Sequence, residues 1–417
     1  TASVTDISLE EEIIPENADI TDYYVYLPVG TTFPADRTYS ITTYDEMLGA
    51  VSVLSGDTLT ESAYVLFDSI PDFNKIVIPS ELKYLVHGGA KSDLYFGANA
   101  QVVSKKIDSV GNDTVNYLFV TDIHFDWDVT DPQGAALINQ TKLMTKMANE
   151  NDNIDFVVIG GDTTTGMYGS KEDCINCTQT VLDPFLECTK PVFVLMGNHD
   201  DNSYHTLNAS NTNKEIYVER VISDLDWENS IINRYTNRNG VKVTQDDPDK
   251  RANSKYYYYD LENKKTRIIA LDAIDYEAKY DENGNIFGDI DNDGILDGMP
   301  LCNINASTDV DKYYSGKNHW GYSADQVRWI AEDALGTLPT DYDVIFVSHM
   351  GIDKVTNSHG INVFYGNDIR NVIKAFKEGG TYNAEFTDLW GNPVSVNANF
   401  ADKNGKILSW QFGHMHI

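Results

Sequence analysis

Positive charge, cysteine and long apolar runs are all scarce in this chain. Only 31 of its 417 residues are Lys or Arg, against 64 Asp or Glu, a formal net charge of −33. Long-range fields do not draw such a surface to duplex DNA or an anionic membrane, so neither is an expected partner. No stretch approaches the roughly 20 apolar residues that span a bilayer, so no transmembrane segment is expected. The cysteines are Cys174, Cys177, Cys188 and Cys302. Cys174-Ile-Asn-Cys177 has the spacing of half a zinc site, but no second C-x-x-C or His pair completes it. The expectation is buried thiols or one or two disulfides, with no connectivity assignable. The chain opens at Thr1 without Met, as a processed or excerpted chain would, and no signal peptide is legible.

What is present is enough for a sizeable core: 41% of residues are apolar. The length suggests two or three domains. The 25 tyrosines and the Asn- and Asp-rich loops suggest a secreted or cell-surface bacterial protein, on composition alone. Residues 1–22 are acidic and aperiodic, as a tail or linker would be. Residues 23–112 carry short β-like runs (Tyr23–Leu27, Ala63–Phe67, Lys75–Pro79) and read as a small, mainly β N-terminal domain. Within it, Thr42-Thr-Tyr-Asp-Glu46 reads as a helix start. Residues 113–417 alternate strand and helix. Strands are expected at Val115–Val120, Asp155–Ile159, Pro191–Met196, Tyr256–Tyr259, Arg267–Leu271, Val344–Val347 and Ile407–Phe412. Helices are expected at Ala135–Asn149, Asp173–Cys188, Ser323–Leu335 and Asp368–Phe376. This β-α-β-α-β order predicts an α/β fold with parallel strands and helices outside.

The chain is organised around Pro191–Met196 and the polar residues that follow it: Gly197-Asn198-His199-Asp200. A short β-branched and aromatic run stops at a glycine, and an amide, an imidazole and a carboxylate come next. Open α/β sheets place ligand sites at such carboxyl ends. Taken alone, the triplet is also what a capped turn uses. The construction recurs four more times: Asp122-Ile-His124, Gly160-Gly161-Asp162, Ser348-His349 and Gly413-His414-Met415-His416. In an extended chain, residues two apart leave on the same face, so Asp122 with His124, and His414 with His416, reach toward one point. Seven donors, Asp122, His124, Asp162, Asn198, His349, His414 and His416, are too many for one tetrahedral ion. As nitrogen and oxygen donors without thiolate they suit Mn, Zn, Fe, Co or Ni. They fit two ions sharing a carboxylate, an arrangement known for displacement at phosphorus.

These motifs resemble those of the calcineurin-like metallophosphoesterases over roughly residues 115–417. The resemblance implies two packed β-sheets flanked by helices, a four-layer α/β/β/α sandwich with a dimetal site at the strand ends. It also implies that one ion takes Asp122, His124, Asp162 and His416. The other would take Asp162, Asn198, His349 and His414, with Asp162 bridging. Two departures stand out. Purple acid phosphatases have Tyr three residues after the Gly-Asp aspartate. Thr165 stands there in this chain, which argues against a tyrosinate-bound ferric ion. Protein Ser/Thr phosphatases carry Arg in this motif. The run Thr163-Thr-Thr-Gly-Met has none, which lowers the weight of a phosphoprotein substrate. The chain stops one residue after His416 where the family usually continues, so the C-terminal edge is expected to be trimmed.

The function expected is hydrolysis of a small phosphate mono- or diester by a metal-bridging hydroxide. His199 is the candidate proton donor to the leaving group. Asp200 is a candidate to orient His199. A segment in the insertion at about 275–321 places Asp289, Asp291, Asp293 and Asp297 around Gly294, which resembles a calcium loop. Pro300 stands where the closing Glu would be, so calcium binding and a solvated acidic loop both remain open. The alternative function is a calcium-stabilised surface binding module on a phosphoesterase-like scaffold. Asp126, Trp127, Tyr204, His205, Asp272, His319 and His359 lie near motif strands, where an ordinary core or surface role is the default.

Overall fold

The computed structural model describes residues 2–3, 23–27, 30–33, 39–43, 52–54, 58–60, 63–67, 77–78, 87–88, 107, 114–125, 132–202, 220–241, 243, 255–275, 321–352, 363–387, 392–403 and 405–414. The chain forms two compact units, one of residues 1–113 with 127–154 and one of residues 114–126 with 155–417. No helix among the described residues is long and apolar enough to cross a membrane.

The first unit holds strands β1 (Ala2–Ser3), β2 (Tyr23–Leu27), β3 (Tyr39–Thr43), β4 (Ser52–Leu54), β5 (Ala63–Phe67), β6 (Val77–Ile78) and β7 (His87–Gly88), and helix α1 (Pro132–Glu150). Its larger sheet runs β4-β3-β5-β2-β7 with antiparallel pairings, and β1 pairs with β6. Residues 44–51, over which the expected helix would run, lie outside the described residues, and Thr42 and Thr43 themselves end β3. They pair with Tyr64 and Ala63 in the β3–β5 ladder, following the β-branched preference of Ile41-Thr42-Thr43.

The second unit carries the motifs. Strands β8 (Tyr117–Val120), β9 (Phe156–Ile159) and β10 (Val192–Val194) form a parallel sheet with β9 in the middle. Every residue of β9 and β10 is buried, as the continuous apolar runs of covered parallel strands require. Strands β11 (Tyr257–Leu261), β12 (Thr266–Leu271), β13 (Asp343–Ser348) and β16 (Ile407–Phe412) form the second sheet, parallel except for β11. The two sheets face each other: Tyr257 Oη donates to the Val194 carbonyl at 2.9 Å, and the Phe193 and Tyr259 rings lie 5.4 Å apart. Toward the other edge, the Tyr117 and Ser409 hydroxyls are 3.3 Å apart.

Three helices in this unit begin at serine caps, which satisfy first-turn N–H groups. Ser170 caps α2 (Lys171–Leu182), and Ser223 forms a reciprocal capping box with Asp226 at α3 (Asp224–Trp227), which continues as a π-helix (Glu228–Thr236). Ser323 caps α4 (Ala324–Trp329), and α5 (Gly366–Glu378) ends at left-handed Gly379. Cys174, Cys177 and Cys188 are buried thiols; Cys302 lies outside the described residues. A hairpin of β14 (Thr381–Thr387) and β15 (Pro393–Asn399) had no counterpart in the sequence reading. The result is a mixed α/β architecture of sheets flanked by helices, with parallel strands ending on a common side.

Candidate metal centre

At those strand ends the backbone takes an uncommon form. Asp122, His124, Asp162 and His414 have φ of 55°, 47°, 51° and 67°, a region that non-glycine residues seldom adopt and that clusters at functional sites. Main-chain bonds hold Asp122 and His124 there. The Asp122 N–H donates to Gly161 O at 3.0 Å, and the His124 N–H to Asp162 O at 2.9 Å. Gly161, at φ 92°, allows a close approach: a Cβ there would stand 2.7 Å from the Gly197 nitrogen.

Asp162 is the hub. It is 1% exposed, and its Oδ1 accepts the His199 N–H at 2.8 Å. Its Oδ2 lies 3.2 Å from His349 Nε2 and 3.7 Å from His124 Nε2. Burial alone would raise its pKa, but the charges of His349 and His199 outweigh this and hold the carboxyl well below the usual range. Two groups of three side chains have donor atoms within 4.8 Å of one another: His124, Asp162 and His199, and Asp162, His349 and His414. Asp162 belongs to both.

The donor chemistry fits divalent cations. His349 Nδ1 is 2.8 Å from the Gly160 carbonyl, which can only accept, so this nitrogen carries the hydrogen. Its Nε2 then faces Asp162 Oδ2 at 3.2 Å and Asn198 Oδ1 at 3.1 Å. Lone pairs from three side chains converge there, as they would on a cation, and a carbonyl-anchored imidazole is the usual way to orient a ligand histidine. With protein groups alone, the ring must take a second proton. Burial opposes this, but Asp162 outweighs burial and brings the His349 pKa to about 9.

Asp122 and Asp200 are engaged by backbone. Both Asp122 oxygens accept the His414 N–H, at 3.0 and 2.9 Å, and its Oδ2 accepts the Thr121 hydroxyl at 2.7 Å. Asp122 is in neither donor group. Asp200 is fully buried. Its Oδ2 accepts the Gly197 N–H at 2.8 Å, and its Oδ1 those of Thr163 and Thr164 at 2.8 and 3.2 Å. Burial, reinforced by the Asp162 charge, pushes its pKa up to about 7. Asp200 thus ties the 163–164 loop to the 197 turn, and the group on the His199 ring is another one: Nδ1 lies 2.7 Å from the Thr165 carbonyl. His416, the candidate calcium residues Asp289, Asp291, Asp293 and Asp297, and Asp126, Trp127, Tyr204, His205, His319 and His359 lie outside the described residues.

A family model for calcineurin-like phosphoesterases matches residues 115–417. The chain belongs to the calcineurin-like phosphoesterase family. Membership implies divalent metal ions and a hydrolase. The crystal structure of a dimetal phosphatase from Danio rerio is similar at 13% identity, with 70% of this chain and 89% of that chain covered and a TM-score of 0.39. No curated protein matches.

Sequence reasoning missed the main-chain groups of this candidate metal centre, Gly160 O and Thr165 O, because a carbonyl leaves no residue signature. It also gave Asp272 only a default role. Asp272 follows β12 and is buried in a polar cluster: Lys255 Nζ lies 2.8 Å from Asp272 Oδ2 and 2.9 Å from Asp224 Oδ1. Asp275 accepts from Ser323 and from Gln326 Nε2 in the same cluster.

Proposed function

We propose that this chain hydrolyses a phosphate mono- or diester with two divalent transition metal ions held at the strand ends. One observation carries the reading: the buried Asp162 carboxylate reaches a proposed ligand of each ion, its Oδ2 lying 3.7 Å from His124 Nε2 and 3.2 Å from His349 Nε2. Asp122, His124, Asp162 and His416 would hold one ion, and Asp162, Asn198, His349 and His414 the other. When bound, such ions supply a water-derived nucleophile at neutral pH and neutralise charge on the phosphoryl oxygens. Asp162, kept ionised, is the carboxylate that both ions would share. The Gly160 carbonyl fixes His349 with Nε2 toward them. His199 gives its Nε2 proton to the leaving oxygen as the P–O bond breaks. The net charge of −33 favours a small phosphate ester over duplex DNA. Composition supports a secreted or cell-surface location.

Hydrolysis of p-nitrophenyl phosphate and bis-p-nitrophenyl phosphate, with Mn, Zn, Fe, Co or Ni supplied, tests the reading and separates monoester from diester. Turnover is expected with at least one ester, and a loss on the order of 10²-fold or more in Asp162→Ala. No turnover of either ester with any of these metals contradicts it.

A further inference from the structure

We propose that the main-chain carbonyl of Thr165, held in place by left-handed Gly166, is the positioning group that fixes the His199 ring in its Nδ1–H form. The inference rests on the proton-donor role proposed for His199. The Thr165 oxygen stands 2.7 Å from His199 Nδ1. A carbonyl has no hydrogen to give, so Nδ1 must donate, and the proton transfer falls to Nε2. The transfer balances on this geometry. The Nε2 proton passes to the leaving oxygen as that oxygen takes the P–O bonding pair. The ring ends neutral, still donating from Nδ1 to Thr165.

The loop carrying this carbonyl is clamped on both sides. Ahead of it, the Thr163 and Thr164 N–H groups are bound to Asp200 Oδ1. Behind it, the Tyr168 N–H donates to Asn202 Oδ1 at 2.8 Å, and Asn202 Nδ2 donates to the Tyr168 and Ser170 carbonyls, each at 3.2 Å. Tyr168 Oη also meets Cys177 Sγ at 2.9 Å and donates to the Phe125 carbonyl at 3.0 Å. Between the clamps, Gly166 turns the chain at φ 65°. A Cβ there would stand 1.9 Å from the His199 carbonyl oxygen. Residues 165–166 therefore touch His199 twice, Thr165 at the ring and Gly166 at the backbone, and a side chain at 166 must lever the two apart. Gly169, four residues beyond Thr165, is a matched control, since a Cβ there meets nothing within 4 Å. A neutral acceptor sets the tautomer without adding a second negative charge beside Asp162.

Two measurements test this. In histidine-¹⁵N NMR of the whole chain, with the His199 resonances assigned by their loss in His199→Ala, the neutral ring should show a protonated Nδ1 and a bare Nε2. A neutral ring protonated at Nε2 overturns the proposal. The second compares kcat for a p-nitrophenyl ester, whose leaving oxygen needs no proton, with kcat for the matching alkyl ester. Gly166→Ala should lose at least ~10-fold more on the alkyl ester than on the p-nitrophenyl ester, and His199→Ala should show the same bias. Gly169→Ala should leave both unchanged. Equal losses on the two esters in a folded Gly166→Ala variant also overturn it. If the wild-type chain hydrolyses neither ester, the phosphoesterase reading fails while the spectrum still decides the tautomer.

Discussion

Replacing Lys255 with Met should destabilise the second unit by about 3–5 kcal/mol at neutral pH, the cost of leaving buried carboxylates without their cation. The ammonium is held 2.8 Å from Asp272 and 2.9 Å from Asp224, with side-chain exposures of 5% for Lys255, 0% for Asp272 and 10% for Asp224. Asp272 Oδ2 meets no other donor among the described residues, while its Oδ1 accepts the Ile274 N–H at 3.1 Å. Met fills a similar volume, so the loss is electrostatic rather than a cavity. Urea unfolding followed by tryptophan fluorescence reads it, because Trp227 and Trp329 are buried in this unit. Acid should narrow the deficit. Burial raises the pKa of Asp272; burial and the Asp272 charge raise that of Asp275 to about 8. Groups with raised folded-state pKa values bind more protons folded than unfolded, so their contribution is fully present below about pH 4 and is lost as pH rises toward 8. Adding Asp272→Asn to Lys255→Met should restore part of the loss. A deficit of about 1 kcal/mol or less, the size expected of an exposed ion pair, refutes the reasoning, as does a double variant no more stable than Lys255→Met.

Other outcomes are expected. Gly161→Ala places a Cβ at φ 92° against the Gly197 nitrogen and should cost about 1–3 kcal/mol in thermal unfolding, together with bound metal. Ser223→Ala removes the capping box of α3 and should cost about 1 kcal/mol, read as a fall in Tm with metal content unchanged. A divalent metal at about 100 times its Kd should stabilise the wild-type chain by about 2.7 kcal/mol, and Asp162→Ala should abolish that rise in Tm.

Legibility followed the physics of each element. Strands β9, β10 and β13 are covered apolar runs, and their ends were readable because polar donors follow at once at Asp162, Asn198 and His349. Strand β16 was expected with the bounds the structure gives it. The β14–β15 hairpin was passed over although Val394, Val396 and Ala398, all buried, repeat with the period of two that marks a half-covered strand. Thr42 and Thr43 lie in the β3–β5 ladder, and the residues that would carry the helix expected after them lie outside the described residues. The ring positioning of His349 and His199 was illegible because main-chain oxygens supply it. So was the Lys255 cluster, which brings Asp224 and Lys255 to Asp272 and Asp275 just after β12.

The most direct test of the central claim, that Asp162 is shared between two metal positions, is metal stoichiometry. Chelator-stripped protein would be reloaded with Mn or Zn, desalted and analysed by mass spectrometry for wild type, His349→Ala and Asp162→Ala. The account predicts about two ions per chain in wild type, about one in His349→Ala and fewer than one in Asp162→Ala. Two ions retained in Asp162→Ala, or no more than one in wild type with either metal, would contradict it.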